Sequence, residues 1–382
     1  MKKVLIISNI PSPYRTALYA YLQEHQKDVR FQVLYTSRIE SDRAWTQDSD
    51  GLKDTYFQSS KVLSVKGGKI GGTATRFIHI PQGLGKMLGS LSPDVIIGSE
   101  YNLSAVQALL WAKRHGVPFI NLTDGTLRSE TYIGAVQKFT RKLIISRADA
   151  FLASSTKARE KLLHWGAAEE KIAISYLTVP AAPFLQLQRE PEMGKILYVG
   201  RISHEKGLDL LVDALAQTHA PWALRVVGND VGGEKQLVQS KIDALGLTGR
   251  VQFLGYKEGA ALLEEYSKAS VLAVPSRSDC FGLILVEGGC AGVPIAASCY
   301  ADGAYDVITP GVNGLLADPE DPAAFSSCLD ALLEKPLPAE GLREMLGEKF
   351  SFQRAAEGYF QALRIAEGRK SHGEYPNCGG CL

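Results

Sequence analysis

Short apolar runs rich in β-branched residues alternate with helical patterns along almost the whole chain. The first run, KVLIISNI at residues 3–10, is continuous, as expected for a strand buried on both faces. A proline-containing break separates it from a helical pattern, TALYAYLQEH. The alternation begins again at KILYVGR (residues 195–201) and continues to PIAAS. Strands that alternate with helices predict an α/β fold with two doubly wound, Rossmann-like parallel sheets and a cleft between them.

A polar stretch containing Pro180, Pro183 and Pro191 separates the two series and reads as a linker. A length of 382 residues also favours two hydrophobic cores over one. We therefore predict a first domain over residues 1–180 and a second over residues 190–351. A final helical pattern, residues 352–368, closes the chain.

Charge is unevenly distributed, although the formal net charge is only +1. Residues 1–190 contain 25 Lys and Arg against 16 Asp and Glu, and the remainder contains 17 against 25. A basic half favours an anionic acceptor or a membrane surface, with ordinary solvated surface charge as the alternative. Residues 135–147 predict a basic amphipathic helix, with Lys138, Arg141, Lys142 and Arg147, that either lies on an anionic membrane or faces water.

No apolar run approaches the roughly 18–20 residues of a membrane span. We therefore expect a cytoplasmic protein, with peripheral contact at the inner face of the membrane as its only membrane association, and no nucleic-acid partner. Four of the six cysteines lie in mostly apolar stretches, which suits a reducing compartment. The C-x-x-C of Cys378 and Cys381 has no second pair nearby, and no metal cluster is expected elsewhere.

Residues 275–294, PSRSDCFGLILVEGGCAGVP, predict a polar loop that leads into a helix. The first turn of a helix leaves backbone N–H groups without partners, and its dipole favours an anion such as a phosphate. Asp279 and Glu287, eight positions apart, would lie beside that anion and accept hydrogen bonds from hydroxyl groups. An anion site flanked by hydroxyl acceptors suggests a sugar nucleotide.

The loop after the strand at residues 195–201 carries two cations, Arg201 and Lys206. Both can reach one diphosphate, the arginine as a fork and the lysine as a point charge. Such a pair is common on surface loops, but it gains weight because the 275–294 stretch is expected at the same edge of the same sheet.

Polar residues also follow the strands of the first domain. Tyr14 and Arg15 come after the first strand, and Glu100 and Asp124 end two others, where a ligand at the carboxyl edge would be within reach. We treat all four as candidate acceptor-binding residues, with helix caps and surface charges as the alternative. Residues 38–75 are polar and glycine-rich, with GGKIGG at 67–72, and predict a long loop that contributes acceptor contacts.

The motifs ILYVGRISHEKG, VQFLGY, PSRSDCFGLILVEGGCAGVPIAAS and GVNGLLADPED resemble those of the family 4 retaining glycosyltransferases of the GT-B fold. The resemblance extends over nearly the whole chain. It implies that the C-terminal helix crosses back to the N-terminal domain. An acceptor-binding domain would then comprise residues 1–180 and 352–382, and residues 190–351 would bind the donor.

The resemblance also implies roles for individual residues. Arg201 and Lys206 would bind the donor diphosphate, and Glu287 the ribose hydroxyls. Asp279 would face the transferred sugar, and Tyr256 would read the base. The other implied donor contacts are Gly228, Phe281, Gly282 and Leu283. The chain departs from the family where Asp279-Cys280 replaces a usual Glu-Gly, which leaves the identity of the sugar open.

The activity implied is metal-independent, retaining transfer of a hexose or N-acetylhexosamine from a nucleotide sugar, with UDP favoured. The acceptor would be a sugar, glycolipid or other hydroxyl compound in bacterial glycan synthesis. Arg201 and Lys206 would stabilise the leaving diphosphate. The resemblance implies front-face attack by the acceptor hydroxyl, and the sequence shows no clear covalent nucleophile, with Asp279 and Asp124 as the residues to test. Two alternatives remain, a non-catalytic partner subunit, which Asp279-Cys280 suggests, and a nucleotide-sugar epimerase.

Overall fold

A computed structural model describes residues 1–25, 28–38, 52–66 and 75–368 of the chain. These residues form two compact units. Unit 1 contains the described residues up to 178 together with residues 351–368, and unit 2 contains residues 179–350. The Cys378/Cys381 tail and the GGKIGG segment lie outside the described residues.

Unit 1 is built on a parallel sheet of seven strands in the order β3-β2-β1-β6-β7-β8-β9. Its strands, with the separate antiparallel pair β4 and β5, are β1 (Lys2–Ser8), β2 (Val29–Tyr35), β3 (Thr55–Phe57), β4 (Ser60–Lys66), β5 (Thr75–Pro81), β6 (Val95–Ser99), β7 (Phe119–Thr123), β8 (Ala150–Ala153) and β9 (Ile172–Ile174). Its helices are α1 (Pro13–His25), α2 (Leu84–Leu91), α3 (Leu103–His115), α4 (Ala135–Arg147), α5 (Thr156–His164) and the last helix, α14 (Phe352–Ala366).

The continuous apolar pattern of the first strand has the predicted consequence. Val4 and Ile6 lie in a cluster with residues of α1 and α14, while Leu5 and Ile7 lie in another with residues of α2 and α3. Helices therefore cover both faces of this sheet, as in other all-parallel sheets.

The C-terminal helix α14 returns to unit 1, as the resemblance implied. Tyr359 and Phe360 pack edge-on against Phe31 of β2. Gly358 allows the close approach, since a Cβ atom there would lie 2.2 Å from the Ile174 carbonyl oxygen.

The prediction of one long loop over residues 38–75 is wrong in its second half. Residues 55–57 add the edge strand β3, and residues 60–66 form the hairpin strand β4 with β5. The segment KVLSVK has apolar residues at positions 62, 63 and 65, a short and irregular pattern that does not stand out from the polar segments on either side. Its partner strand, residues 75–81, comes only after the glycine-rich segment.

Unit 2 is a parallel sheet of six strands in the order β12-β11-β10-β13-β14-β15. Its strands are β10 (Lys195–Val199), β11 (Ala223–Val227), β12 (Val251–Gly255), β13 (Val271–Val274), β14 (Ile295–Ser298) and β15 (Gly314–Ala317). Its helices are α6 (Ala182–Leu185), α7 (Leu208–Leu215), α8 (Glu234–Ala244), α9 (Gly259–Lys268), α10 (Leu283–Ala291), α11 (Ala304–Val307), α12 (Pro322–Glu334) and α13 (Arg343–Lys349).

Each sheet reverses its strand order next to its first strand. The reversal lies between β1 and β6 in unit 1 and between β10 and β13 in unit 2. In doubly wound sheets, ligands bind outside the carboxyl ends of the strands at such a point. The loops that follow these four strands, together with the helices into which they lead, carry most of the residues that the sequence singled out. No helix in the described part of the chain is long and apolar enough to cross a membrane.

Candidate functional site

Two loops of unit 2 come together at its reversal point. The first, residues 200–207, follows β10 and includes a 3₁₀ turn at His204–Lys206, and the second, residues 275–282, follows β13. Gly207 has φ 66°, and a Cβ atom there would lie 2.1 Å from the Pro275 carbonyl oxygen. Glycine at this position is therefore what allows the two loops to touch.

Arg277 joins the same two loops. Its guanidinium group donates to both carboxylate oxygens of Asp209, at 2.7 and 2.6 Å, and to the His204 carbonyl oxygen at 2.8 Å. Burial alone would raise the pKa of Asp209, but the hydrogen bonds and charge of Arg277 lower it below its usual value. The sequence pattern did not single out Arg277, although it lies only two positions before Asp279.

Lys206 and Asp279 form an ion pair between the two loops, with Nζ 2.5 Å from Oδ2. The lysine side chain is 23% exposed and the aspartate side chain 14%. Asp279 Oδ1 also accepts a 3.3 Å hydrogen bond from the Phe281 amide. Arg201 is less constrained, since its nearest acidic group, Glu205, lies 3.9 Å away on an exposed side chain. Both predicted cations are thus on the correct loop, but one of them is already neutralised.

The start of α10 is fixed by contacts with the segment after β14. The Asp279 amide donates to the Tyr300 carbonyl oxygen at 3.2 Å, and the Asp302 amide donates to the Asp279 carbonyl oxygen at 2.9 Å. A Cβ atom on Gly303 would lie 2.0 Å from the Phe281 carbonyl oxygen. This packing holds the loop where the unpaired N–H groups of the first helical turn begin.

Gly282 is the N-cap of α10, with φ 78°, and Leu283 is its first helical residue. The Phe281 side chain is buried and packs edge-on against Phe350. The first-turn amides and the positive end of the helix dipole thus lie where the sequence predicted an anion site, which stays a prediction.

Glu287 lies in the second turn of α10 and keeps partial solvent access. Its Oε2 accepts a 2.7 Å hydrogen bond from the hydroxyl of Tyr266 on α9. Burial raises the pKa of Glu287, and the bond from Tyr266 opposes that rise. Tyr266 was not recognised in the sequence, since its helical spacing from Leu262 and Leu263 is typical of a core tyrosine.

The remaining predicted donor residues lie at the carboxyl ends of neighbouring strands. Gly228 follows β11, with φ 148°, and a Cβ atom there would lie 1.8 Å from the Gly200 carbonyl oxygen. Tyr256 follows β12, is 58% exposed, and donates a hydrogen bond to Glu258. The fold thus brings the predicted donor residues to one edge of one sheet.

In unit 1, Arg15 and Asp124 form an ion pair between the residues after β1 and β7. Arg15 is only 4% exposed, so its role differs from the accessible cation that the sequence predicted. Tyr14 lies beside it, with the guanidinium carbon 5.9 Å from the ring centre. Of the paired charges, the Asp124 carboxylate is the more accessible.

Glu100 also supports Asp124. Its backbone has φ 60°, a strained conformation for a residue other than glycine. Its carboxylate accepts hydrogen bonds from the Thr123 hydroxyl at 3.0 Å and from the Asp124 amide at 2.7 Å. Burial is the main cause of a raised pKa at Glu100. The carboxylate thus holds the end of β7 in place.

A buried ion-pair network lies next to these residues. Lys161 of α5 is fully buried, with Nζ 2.6 Å from the Thr123 hydroxyl and 3.3 Å from Glu130. Arg141 of α4 also pairs with Glu130, at 2.9 Å. Arg141 therefore turns inward, away from the exposed basic face to which the sequence assigned it. Neither Lys161 nor Glu130 was recognised, because charged residues in helical and loop patterns usually face water.

Two further expectations concern metals and cysteines. Within residues 1–25, 28–38, 52–66 and 75–368, no three His, Cys, Asp or Glu residues are placed to hold a metal ion. Of the four described cysteines, Cys290 and Cys328 are buried and Cys280 and Cys299 are half-buried.

Two family models match the chain. Residues 186–350 match the family model described as glycosyl transferases group 1. Residues 12–177 match the model of a glycosyl transferase 4-like domain. The two matches together cover both units. The chain belongs to the group 1 glycosyltransferases.

Relatives of this glycosyltransferase include enzymes with different names. It is 27% identical to a D-inositol 3-phosphate glycosyltransferase from Rhodococcus jostii (strain RHA1) over 317 residues, which is 74% of this chain and 69% of the relative. It is 24% identical to a glycogen synthase from Mycobacterium tuberculosis over 294 residues, 73% of this chain and 70% of the relative.

Solved structures show the same fold. The crystal structure of Anabaena Alr3699/HepE in complex with UDP matches with a TM-score of 0.75 at 18% identity, covering 95% of this chain and 99% of the other. The lipopolysaccharide outer core galactosyltransferase WaaB matches with a TM-score of 0.73 at 19% identity, with the same coverages. The predicted GT-B fold, with two Rossmann-like parallel-sheet domains, is confirmed for this glycosyltransferase.

Proposed function

We propose that this glycosyltransferase transfers a hexose or N-acetylhexosamine from a UDP-sugar to a hydroxyl group of a sugar or glycolipid in bacterial glycan synthesis. The observation that carries the proposal is the single sheet edge in unit 2 that gathers Arg201, Lys206, the start of α10, Asp279 and Glu287. Two cations and free helix amides suit a diphosphate, and two carboxylates suit hydroxyl groups.

The reaction breaks the bond between the anomeric carbon and the donor phosphate, and the nucleoside diphosphate leaves. Arg201, Lys206 and the first amides of α10 stabilise its developing negative charge, because they are already oriented before the bond breaks. These groups supply the positive charge that the leaving group needs, so we propose a metal-independent reaction.

Glu287 accepts from the ribose hydroxyls and Asp279 from hydroxyls of the transferred sugar. Because Asp279 is one methylene shorter than glutamate and is held close to Lys206, the sugar lies close to the diphosphate-binding loop. We propose retention of configuration, the outcome that the family resemblance implies. The solved structures of Anabaena Alr3699/HepE with UDP and with UDP-glucose support UDP as the nucleotide.

A panel of nucleotide sugars, followed by ligand-observed NMR and product analysis, tests the proposal. We expect one UDP-sugar to bind, to be transferred or slowly hydrolysed, and to give a product with the anomeric configuration of the donor. Lys206→Ala and Glu287→Ala should each reduce turnover at least tenfold, since each removes a bond to a charged group worth about 1.5–3 kcal/mol. Lys335→Ala and Glu334→Ala remove exposed charges of unit 2 and should leave turnover unchanged.

Three results would contradict the proposal in different ways. Full activity in Lys206→Ala or Glu287→Ala would show that the chemistry lies elsewhere. Binding of a nucleotide sugar without transfer or hydrolysis would favour the non-catalytic partner subunit. Formation of an epimeric nucleotide sugar without an acceptor would identify an epimerase.

We also propose that unit 1 contacts an anionic membrane through the exposed face of α4 and the turn before it. Tyr132, Val136 and Phe139 are 69%, 75% and 64% exposed, and Lys138 and Lys142 are exposed beside them. Apolar side chains flanked by lysines are suited to anionic headgroups and the outer acyl region. This contact would place the enzyme in the cytoplasm, at the inner face of the membrane.

Sedimentation with vesicles tests the membrane contact. We expect binding to vesicles that contain anionic lipid, less binding to zwitterionic vesicles, and loss of binding in the double variant Val136→Ser/Phe139→Ser. Leu237→Ser, which removes a similarly exposed apolar side chain from α8, is the matched control. Unchanged vesicle binding in the double variant would overturn the assignment of this face.

A further inference from the structure

Glu287 occupies an unusual electrostatic position for a carboxylate that must accept hydrogen bonds. Burial raises its pKa, and among the described residues no cation lies within ion-pair distance of it. Its hydrogen bond comes from a neutral group, the hydroxyl of Tyr266 at 2.7 Å. Tyr266 is therefore the described side chain that directly stabilises the ionised form of Glu287.

Tyr266 is held rigidly. Its side chain is 0% exposed on α9, and its ring packs edge-on against Phe184 of α6, with ring centres 5.4 Å apart. Burial, and then the charge of Glu287, raise the pKa of Tyr266 well above its usual value. The phenol therefore keeps its proton at any working pH and acts as a fixed donor towards Glu287.

We propose that Tyr266 is a positioning residue of the donor site, which orients the Glu287 carboxylate for the ribose of the nucleotide sugar. The bond to Oε2 fixes the carboxylate plane, and Oε1 has no hydrogen-bond partner among the described residues. An ionised Oε1 can then accept from a ribose hydroxyl, whereas a protonated carboxyl group would compete as a donor. The inference rests on the proposed function, because that function assigns the ribose to Glu287.

The sign of the pH effect follows from the two influences on Glu287. Its pKa is already raised by burial, and loss of the Tyr266 hydroxyl raises it further because the opposing hydrogen bond is gone. Donor binding should then be present above the pKa of Glu287 and lost as the pH falls through it. The other titratable groups that interact with Glu287 are Tyr256 and Cys290. Burial raises the pKa of Cys290 to about 12, and the pKa of Tyr256 is also raised. Both groups therefore stay neutral between pH 5 and pH 8, where donor binding is measured.

The test compares the wild type with Tyr266→Phe, which keeps the buried ring and removes the hydroxyl. NMR of protein labelled with ¹³C in the glutamate side chains measures the titration midpoint of the Glu287 carboxyl group without any ligand. The resonance that disappears in Glu287→Gln belongs to Glu287. We expect the midpoint to rise by about 1–2 pH units in Tyr266→Phe, the size expected for a hydrogen bond to a charged group. Thr218→Val, which removes another buried hydroxyl of unit 2 that bonds the Ala214 carbonyl oxygen, should leave the midpoint unchanged.

Binding of UDP, measured by calorimetry from pH 5 to pH 8, gives the second readout. Tyr266→Phe should shift the acid limb of the affinity to higher pH and should keep a smaller loss of affinity at pH 8, where the orientation of the carboxylate alone is lost. In a Glu287→Gln background the same substitution should have no pH-dependent effect. A loss of affinity that is equal at every pH and persists in that background would mark Tyr266 as merely structural and overturn the inference.

The two readouts separate the inference from the proposed function. An unchanged Glu287 midpoint in Tyr266→Phe would overturn the positioning role, whatever the protein binds. A wild-type protein that binds no nucleotide would overturn the proposed function, and with it the assignment of the ribose to Glu287.

Discussion

The ion pair between Lys206 and Asp279 leads to a prediction that opposes the usual effect of mutating a binding residue. The Lys206 ammonium group lies 2.5 Å from the Asp279 carboxylate. A diphosphate must share this lysine with a fixed negative charge. Asp279→Asn keeps the size of the side chain but removes the charge, so we expect UDP to bind more tightly to the variant than to the wild type.

The magnitude follows from the burial of the pair. The two side chains are 23% and 14% exposed, so the pair is neither fully exposed nor fully buried. Exposed ion pairs contribute about 0.2–1 kcal/mol, and breaking a buried pair costs about 3–5 kcal/mol. An intermediate value of about 1–2 kcal/mol corresponds to UDP binding about 5- to 30-fold tighter. The complete donor should not gain in this way, because Asp279→Asn also weakens the contact with the sugar by a comparable amount.

Isothermal titration calorimetry with UDP and with the UDP-sugar selected by the donor panel measures both constants. The expected result is a higher affinity for UDP and an equal or lower affinity for the UDP-sugar. Glu205→Gln is the matched control, since it removes an exposed carboxylate from the neighbouring loop 3.9 Å from Arg201, and it should change the UDP affinity less than about fivefold. Weaker UDP binding by Asp279→Asn would refute the reasoning and would mean that Asp279 orders Lys206 for the phosphate.

Two other predictions concern residues that support the sites. Arg277→Met removes the two hydrogen bonds to Asp209 that help to hold the donor loops. We expect this variant to bind UDP at least tenfold more weakly, as measured by calorimetry. If Asp209→Asn in the same chain weakened UDP binding by its full effect again, the two residues would be acting independently. Lys161→Met removes the buried cation that acts on the Glu100 carboxylate and leaves Glu130 with Arg141 as its remaining partner. We expect a loss of about 3 kcal/mol in the stability of unit 1, the lower end for breaking a buried pair, visible as a lower melting temperature. Lys157→Met, one turn earlier and paired with Glu160 on the surface, should change the melting temperature little, and equal melting temperatures would contradict the prediction.

The departure at Asp279-Cys280 gains a structural meaning from these contacts. The short carboxylate is held by Lys206 and by the Phe281 amide, and the half-buried Cys280 follows it. A longer carboxylate would reach further from the loop. The sugar specificity of this chain is therefore expected to depend on this dipeptide.

Most of the fold could be predicted from the sequence because its strongest signals are local. A strand buried on both faces must be apolar at nearly every position, as KVLIISNI is, and a helix must repeat every 3.6 residues. Parallel strands then place every following loop at the same sheet edge, which is why Arg201, Lys206 and Asp279 could be grouped without a structure. The hairpin at residues 60–66 and 75–81 was missed, because its two short strands lack a clear period and lie on either side of a glycine-rich segment.

The sequence by itself thus determined the two α/β units, their order along the chain and the loops that carry the donor-site residues. Only the tertiary structure decided which charges meet, as in the pairs Lys206–Asp279 and Arg15–Asp124 and the inward turn of Arg141. Partners of this kind are separated by tens of residues along the chain, and no periodicity encodes their distance. Whether a charged side chain faces a ligand, a partner residue or water depends on tertiary packing. The sequence therefore located these residues on their loops, and only the folded chain decided what surrounds each of them.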